Sequence, residues 1–188
     1  SMMIKNNECP VDGMTYLQCL EFVTKLNERT GMQFSLPTEA QWEFAFRGGI
    51  HDGVMYSGKA YGMNSLKELG WCLDNSKVTE NGSTQPHVVG LKYPNAYGLY
   101  DMAGNMNEWC VDWSDGNDFA WKSQTEPEVD PKGVPKSQIT LDVHGNGNHI
   151  LRGAAYNQTR TYLHAGFRNK ENGSSTGNVC MRVYCPAE

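Results

Sequence analysis

Two cysteines near the end of the chain have the spacing of a redox pair. Cys180 and Cys185 stand in the run NVCMRVYCPAE, where four residues, among them a basic and an aromatic one, separate the two thiols. They could form a catalytic pair, enter a disulfide, or be two unrelated residues of one strand. Residues five apart in an extended strand point to opposite faces, so the two thiols would not meet. The pattern therefore favours a buried small residue at Cys180 and a strand-end thiol at Cys185.

A disulfide from either cysteine to another part of the chain stays open, because only geometry decides it. The candidate partners are Cys9, Cys19, Cys72 and Cys110. Six cysteines in 188 residues are too few for a disulfide scaffold, and they lack the paired CxxC clusters of a zinc site.

The histidines indicate no metal centre. They are His51, His87, His144, His149 and His164, and no two of them stand at metal-ligand spacing. No Ser-His-Asp order or nucleophile elbow accompanies them. We interpret each histidine as structural or solvated.

Charge and hydropathy exclude several classes of partner. The formal net charge is −5 and there is no run of Lys and Arg, so nucleic acid is not an expected partner. The chain has no long apolar run, and the start SMMIKNNECP has no apolar core after its lysine. Neither a membrane span nor a signal peptide is therefore visible. The compartment stays open between cytoplasm, virion, and cell surface after removal of a leader.

Two helices can be predicted early in the chain. Thr15 and Gln18 form a capping-box pattern before an amphipathic run that stops at Gly31, and Thr38 and Gln41 begin a second run. The second helix is expected to end at Gly48. Beyond it, short strand-like runs alternate with long loops rich in Gly, Asn, Asp, Ser and Pro; the runs are HVVGLKY, GLYDM, EWCVDW, HILRGAAY and VCMRVY. This order predicts a single α+β domain over residues 1–188.

Several segments in order resemble the formylglycine-generating enzyme/sulfatase-modifying factor family. They are LPTEAQWEFAFRGG, GWCLDNS, YPNAYGLYDMAGNMNEWCVDW, ILRGAAY and NVCMRVY, and the resemblance spans roughly residues 10–185. It implies a C-type-lectin-like fold with two helices, short antiparallel strands and long ordered loops. Members of the family perform oxidation, sulfur chemistry or plain ligand binding, so the fold alone does not choose among these functions. Relative to the family, the N-terminal stretch before the first helix is short.

The resemblance also implies calcium sites, which require oxygen ligands. One would use the carboxylates of Asp101 and Glu108 with the carbonyls of Gly104 and Met106. A second would use Asn75 and the carbonyl of Ser76, with partners from TENGSTQP. We predict structural calcium at the first site, the alternative being a loop held by hydrogen bonds alone.

The catalytic thiols of the family are missing. Oxidising members carry two cysteines shortly after the equivalent of RGAAY, where they bind copper(I), and in this chain those positions fall on Gln158 and Leu163. Neither residue can bind copper or exchange a disulfide. We therefore expect no copper and no catalytic residues.

The segment 155–175, which begins within RGAAY, is the main part of the predicted ligand face, and Trp121 in an earlier polar loop is a further candidate. Its Tyr, Asn, Ser and Gly resemble the composition of antibody paratopes, in which rigid aromatic rings supply contact area and small polar residues supply hydrogen bonds. An ordinary polar surface loop is the alternative. The predicted ligand-binding residues are Trp121, Tyr156, Asn157, Gln158, Thr159, Thr161, Tyr162, His164, Phe167, Arg168, Asn169 and Asn172.

These observations favour a non-catalytic ligand-binding module on the family's scaffold, with a protein or glycan ligand. One specific form is a variable protein of a diversity-generating retroelement, as found in phages and gut bacteria, with its ligand face in residues 155–175. The main alternative is a formylglycine-generating or related oxidase that uses a displaced set of cysteines, which needs an accessible, thiolate-prone Cys180 or Cys185. A third is a regulatory paralogue that dimerises with an active relative. The sequence leaves the oligomeric state open.

Overall fold

The computed structural model describes residues 8–49, 66–78, 82–116 and 131–186. Helix α1 (Tyr16–Thr30) and helix α2 (Glu39–Arg47) are followed by one helical turn, α3 (Leu66–Leu69). The strands are β1 (Gly70–Trp71), β2 (Ala103–Gly104), β3 (Asn107–Ser114), β4 (Asn148–Arg152), β5 (Asn169–Asn172) and β6 (Val179–Cys180). Short 3-10 turns cover Lys136–Gln138 and Arg160–Tyr162.

Both predicted helices are confirmed together with their caps. The Thr15 hydroxyl accepts from the backbone N–H of Gln18, whose side chain accepts from the N–H of Thr15, and helix α2 begins in the same way. The two reciprocal hydrogen bonds satisfy backbone donors that have no partner within the helix. Both helices end on a glycine in the left-handed conformation, which a residue without Cβ adopts at low cost.

A four-stranded sheet in the order β5-β4-β3-β6 forms the framework. Strands β3–β4 and β4–β5 pair antiparallel, while β3 and β6 pair parallel. The register places Glu108 of β3 opposite Arg152 on one side and opposite Cys180 on the other. A separate parallel pair joins β1 to β2.

The core lies on both faces of this sheet, because side chains alternate along a strand. Cys110 and Ile150 pack with Trp42 and Phe46 of helix α2. Their sequence neighbours Trp109 and Leu151 pack in another cluster, with Cys19 and Val23 of helix α1. The sheet is therefore covered by one helix on each face, which confirms the α+β class. The strands are not all antiparallel as predicted, because β1–β2 and β3–β6 are parallel pairs.

Two of the predicted strands do not form. HVVGLKY and GLYDM are irregular, and their glycines Gly90 and Gly98 have φ of +76° and +75°, outside the extended region. Apolar residues of these runs also point to solvent, with Val89 49% and Leu91 63% exposed. EWCVDW and HILRGAAY contain β3 and β4 as predicted, whereas only the start of VCMRVY is a strand, β6.

All six cysteines are free thiols in the structure. Cys180 is buried in β6, and Cys185 is half-buried beyond the strand end. The open disulfide alternatives are therefore not realised. The expectation of a buried small residue at Cys180 is confirmed.

Candidate functional site

The segment that follows β4 makes a compact turn over the end of the sheet. The extended conformation stops at Gly153, which has φ of +94° and approaches the Trp42 ring so closely that a Cβ atom would lie 3.3 Å from it. The chain then passes through the 3-10 turn Arg160–Tyr162 and returns as β5. This is the segment that the sequence predicts as the ligand face.

Arg152, the last residue of β4, anchors this turn through hydrogen bonds from its guanidinium. Its side chain is fully buried, with Nη1 donating to the carbonyl of Phe167 at 2.6 Å and Nη2 donating to the carbonyl of Ala165. Nη2 also donates to Oε2 of Glu43 at 2.7 Å, and Nη1 lies 3.5 Å from Oε1 of Glu39. One guanidinium therefore joins the turn to helix α2.

Three of the predicted ligand residues use their side chains in hydrogen bonds within the domain, and two of them, Tyr156 and Arg168, are nearly buried. The Tyr156 hydroxyl donates to Oδ1 of Asn178 at 2.9 Å, and the Gln158 side chain accepts from the backbone N–H of Ala155 at 2.7 Å. Arg168 forms a nearly buried ion pair with Glu39, at 2.5 and 2.6 Å. These side chains stabilise the conformation of the turn, and their polar groups are engaged within the domain.

The other residues of the turn do form a surface patch, which we call the turn surface. It consists of Asn157, Thr159, Thr161, Tyr162, His164 and Phe167, each of them exposed or half-exposed. The Tyr162 ring packs on the Phe167 ring with centroids 4.6 Å apart, and the His164 ring meets Phe167 edge-on at 6.3 Å. The hydroxyls of Thr159 and Thr161 are hydrogen-bonded to each other at 2.6 Å. The patch thus combines a small aromatic cluster with adjacent hydroxyl and amide groups.

The remaining predicted ligand residues lie elsewhere. Asn169 and Asn172 belong to β5, where Asn172 donates to Asp142 at 3.2 Å and accepts from Ser174. Trp121 lies outside the described residues.

The segment that forms the turn surface contains no cysteine. The sequence has no cysteine between Cys110 and Cys180, and the position predicted to replace the second catalytic thiol, Leu163, is buried in the core. Burial raises the pKa of the Cys180 thiol well above its usual range, and it does the same for Cys110. Because the thiolate is the reactive form, neither buried cysteine is suited to catalysis.

The loop predicted to bind calcium is held by protein groups. Both oxygens of Glu108 accept hydrogen bonds from Arg182, from its Nη2 at 2.7 Å and from its Nε at 2.9 Å. The indole N–H of Trp42 donates to the same carboxylate at 2.7 Å. Oδ2 of Asp101 accepts from the backbone N–H of Gly90 at 2.7 Å, while Oδ1 is buried and has no hydrogen-bond partner. The Glu108 carboxylate in this arrangement does not fit a calcium ligand, because its oxygens already face cationic and neutral donors.

The carbonyls of this loop and the second predicted site are also partly engaged. The carbonyl of Gly104 accepts from the N–H of Met106 at 2.9 Å. The Asn75 side chain accepts from the N–H of Cys72 and donates to the carbonyls of Lys67 and Gly70, which closes the turn after β1. Ser76 is fully buried and its hydroxyl has no partner. Within residues 8–49, 66–78, 82–116 and 131–186, no three His, Cys, Asp or Glu side chains are grouped so as to hold a metal ion.

The sequence did not indicate the ion pairs of Arg152 and Arg182 or the cleft beside Arg182. Arg152 and Arg182 each bind a glutamate that is distant in sequence. A cleft of about 500 Å³ opens beside Arg182, and its walls include Val11, Val89 and Met181. A signal for Arg152 existed, because an arginine that follows the apolar run HIL in a buried strand requires an acidic partner.

Comparisons with known proteins agree with this geometry. Residues 1–185 match the family model described as "Sulfatase-modifying factor enzyme 1-like domain". The chain is 32% identical over 171 residues to "Serine/threonine-protein kinase pkn1" of Chlamydia pneumoniae, covering 90% of this chain and 23% of that protein. It is 30% identical over 161 residues to the formylglycine-generating enzyme of Streptomyces coelicolor, covering 78% of this chain and 45% of that enzyme. The chain therefore spans less than half the length of either relative.

A solved structure shares the fold. "Treponema denticola variable protein 1" superimposes with a TM-score of 0.71 over 98% of this chain and 74% of that one, at 23% sequence identity. At this identity the likeness concerns the fold alone. Among the described residues, the structure has no helix with the length and apolar character needed to cross a membrane.

Proposed function

The chain belongs to the sulfatase-modifying factor enzyme 1-like domain family, and from that premise we propose that it is a non-catalytic ligand-binding module. Its ligand face is the turn surface, within residues 155–175. The observation that carries the proposal is the division of this segment into two sets of side chains. Tyr156, Gln158 and Arg168 hold the backbone, while the six residues of the turn surface remain available to a ligand.

A rigid support favours binding, because a surface that is already ordered loses little conformational entropy when a ligand arrives. Arg152 fixes the carbonyls of Ala165 and Phe167, and the core residue Leu163 fixes the middle of the turn. The exposed side chains are small or aromatic, which supplies hydrogen bonds and contact area at a modest entropic cost. The turn surface thus has the physical properties of a preorganised paratope for a protein or glycan.

A more specific form of the proposal is that the domain is a variable protein of a diversity-generating retroelement. The support for it is that a protein named "Treponema denticola variable protein 1" shares this fold. The test is genomic. A reverse transcriptase gene near this gene and a near-identical template repeat covering residues 155–175 would support the assignment. If neither is found, the domain is a binding module with a fixed surface.

The first prediction concerns Tyr162, the most exposed aromatic residue of the turn surface. We expect Tyr162→Ala to weaken ligand binding roughly tenfold, since an aromatic residue at the centre of a contact contributes about 1–2 kcal/mol or more. The measurement is the dissociation constant for whichever immobilised glycan or surface protein of a defined array binds the wild type. The matched control is Tyr93→Ala, because Tyr93 is 67% exposed but lies outside residues 155–175. An equal loss in both variants, or no loss in Tyr162→Ala, would contradict the assigned face.

The second prediction addresses the oxidase alternative, which the similarity to formylglycine-generating enzymes favours. We expect no conversion of cysteine to formylglycine when copper-loaded protein is incubated with a Cys-x-Pro-x-Arg peptide and the product is analysed by mass spectrometry. The reason is that the Cys180 thiol is buried and protonated. A formylglycine product that disappears in Cys180→Ser or Cys185→Ser would refute the non-catalytic function.

A further inference from the structure

We infer that Arg182 provides the cation of the loop over residues 101–108, so that a guanidinium of the chain itself holds this loop in place of a calcium ion. The inference concerns how the scaffold is stabilised, and it is independent of the proposed ligand face.

The pairing of Arg182 with Glu108 is bidentate. Nε and Nη2 of one guanidinium edge donate to the two carboxylate oxygens at 2.9 and 2.7 Å, and Nη2 also donates to the carbonyl of Tyr100 at 3.0 Å. A planar guanidinium matches a carboxylate in this fork geometry and carries a permanent charge. Arg182 thus gives Glu108 a positively charged partner in a fixed geometry, which a divalent ion would otherwise provide.

Strand pairing makes this contact an intrinsic part of the fold. Glu108 in β3 lies directly opposite Cys180 in β6, and Arg182 follows Cys180 by two residues. Residues two apart in an extended segment point to the same side, so the register that pairs the strands also brings the guanidinium to the carboxylate. Trp42 of helix α2 completes the site with its indole N–H.

Most of the side-chain oxygens that the sequence assigns to calcium at this place are already bonded to protein donors. Calcium takes six to eight oxygen ligands. Both Glu108 oxygens face Arg182, one Asp101 oxygen accepts from Gly90, and the Gly104 carbonyl accepts from Met106. Of the four carboxylate oxygens, only Oδ1 of Asp101 is without a hydrogen bond. An ion at this place would have to displace a guanidinium from an almost fully buried carboxylate.

The experiment compares unfolding temperatures in millimolar calcium and in millimolar EGTA. For the wild type we expect equal Tm values and no stoichiometric calcium in elemental analysis after dialysis. Arg182→Gln is expected to lower Tm by about 5 °C in both buffers, because Glu108 keeps a nearly buried charge without a cationic partner. The matched variant Arg182→Gln/Glu108→Gln removes both charges, and it should regain at least half of that loss.

Two results would overturn the inference. One is a wild-type Tm that rises with calcium and loses this response in Glu108→Gln. The other is a double variant that is no more stable than Arg182→Gln. The wild-type measurement remains decisive even if Arg182→Gln does not fold.

Discussion

Replacing Arg152 by methionine is expected to reduce the free energy of unfolding by about 3–5 kcal/mol, which is the usual cost of removing one partner from a buried ion pair. Arg152 is fully buried, and its loss would leave Glu43 and the buried Glu39 without this cation. Methionine keeps the apolar length of the side chain, so the effect comes from the charge and the hydrogen bonds. For a domain of this size, the corresponding decrease in Tm is roughly 10 °C.

The same substitution should also weaken ligand binding, because the carbonyls of Ala165 and Phe167 lose their donor and the turn surface loses its anchor. Urea denaturation gives the free energy, and the array ligand that binds the wild type gives the affinity. The matched control is Arg47→Met, in which an arginine that is one-quarter exposed leaves the same Glu43. A pair of this kind contributes less than about 1 kcal/mol. Similar losses in Arg152→Met and Arg47→Met would contradict the anchoring role.

The helices were predictable from sequence because their signals are local. Each capping box joins residues three apart, and each terminal glycine occupies a backbone conformation that other residues avoid. β3 and β4 were predictable for a similar reason, since both are short apolar runs bounded by turn residues. The failed strands at HVVGLKY and GLYDM carry the same apolar residues, but their glycines take positive φ and several of their side chains face solvent.

The candidate site was predictable only in part. Composition and the family resemblance predict a ligand face in the segment 155–175, but an irregular segment has no period that separates inward from outward side chains. Tyr156 and Arg168 therefore look like ligand contacts in the sequence, and the structure places both in internal hydrogen bonds. The ion pairs of Arg152 and Arg182 join residues that are 109 and 74 positions from their glutamates. Packing of helix α2 on the sheet brings Arg152 to Glu43, and the register of β3 and β6 brings Arg182 to Glu108.

The final prediction concerns two buried titratable residues whose effects on stability oppose each other. His149 is stacked between Tyr16 and Trp113, with ring centroids 3.6 and 3.9 Å away, and burial lowers its pKa to about 4. Asp112 accepts from the backbone N–H of Glu39 at 2.7 Å, and burial, with the nearby charge of Glu39, raises its pKa to about 6.

The sign of each contribution to stability depends on whether the folded or the unfolded state has the higher pKa for that residue. His149 has a folded pKa below its ordinary 6.5, so its contribution to stability is present above pH 6.5 and is lost as the pH falls through about 4. Asp112 has a folded pKa above its ordinary 3.8, so its contribution is present below pH 3.8 and is lost as the pH rises through about 6. Between about pH 4 and 6, the two residues therefore change the free energy of unfolding with pH by similar amounts and in opposite directions.

We therefore expect Asp112→Asn to show the pH dependence of stability that is due to His149 alone. Asparagine can still accept from the N–H of Glu39, but it cannot take up a proton to offset His149. The free energy of unfolding should then fall, relative to wild type, by about 1.4 kcal/mol for each pH unit between pH 6 and 4. His149→Phe, which keeps an aromatic ring in the stack, should change the slope in the opposite direction. Urea denaturation at several pH values in this window measures both slopes, and variants with the wild-type slope would show that these two residues do not control acid stability.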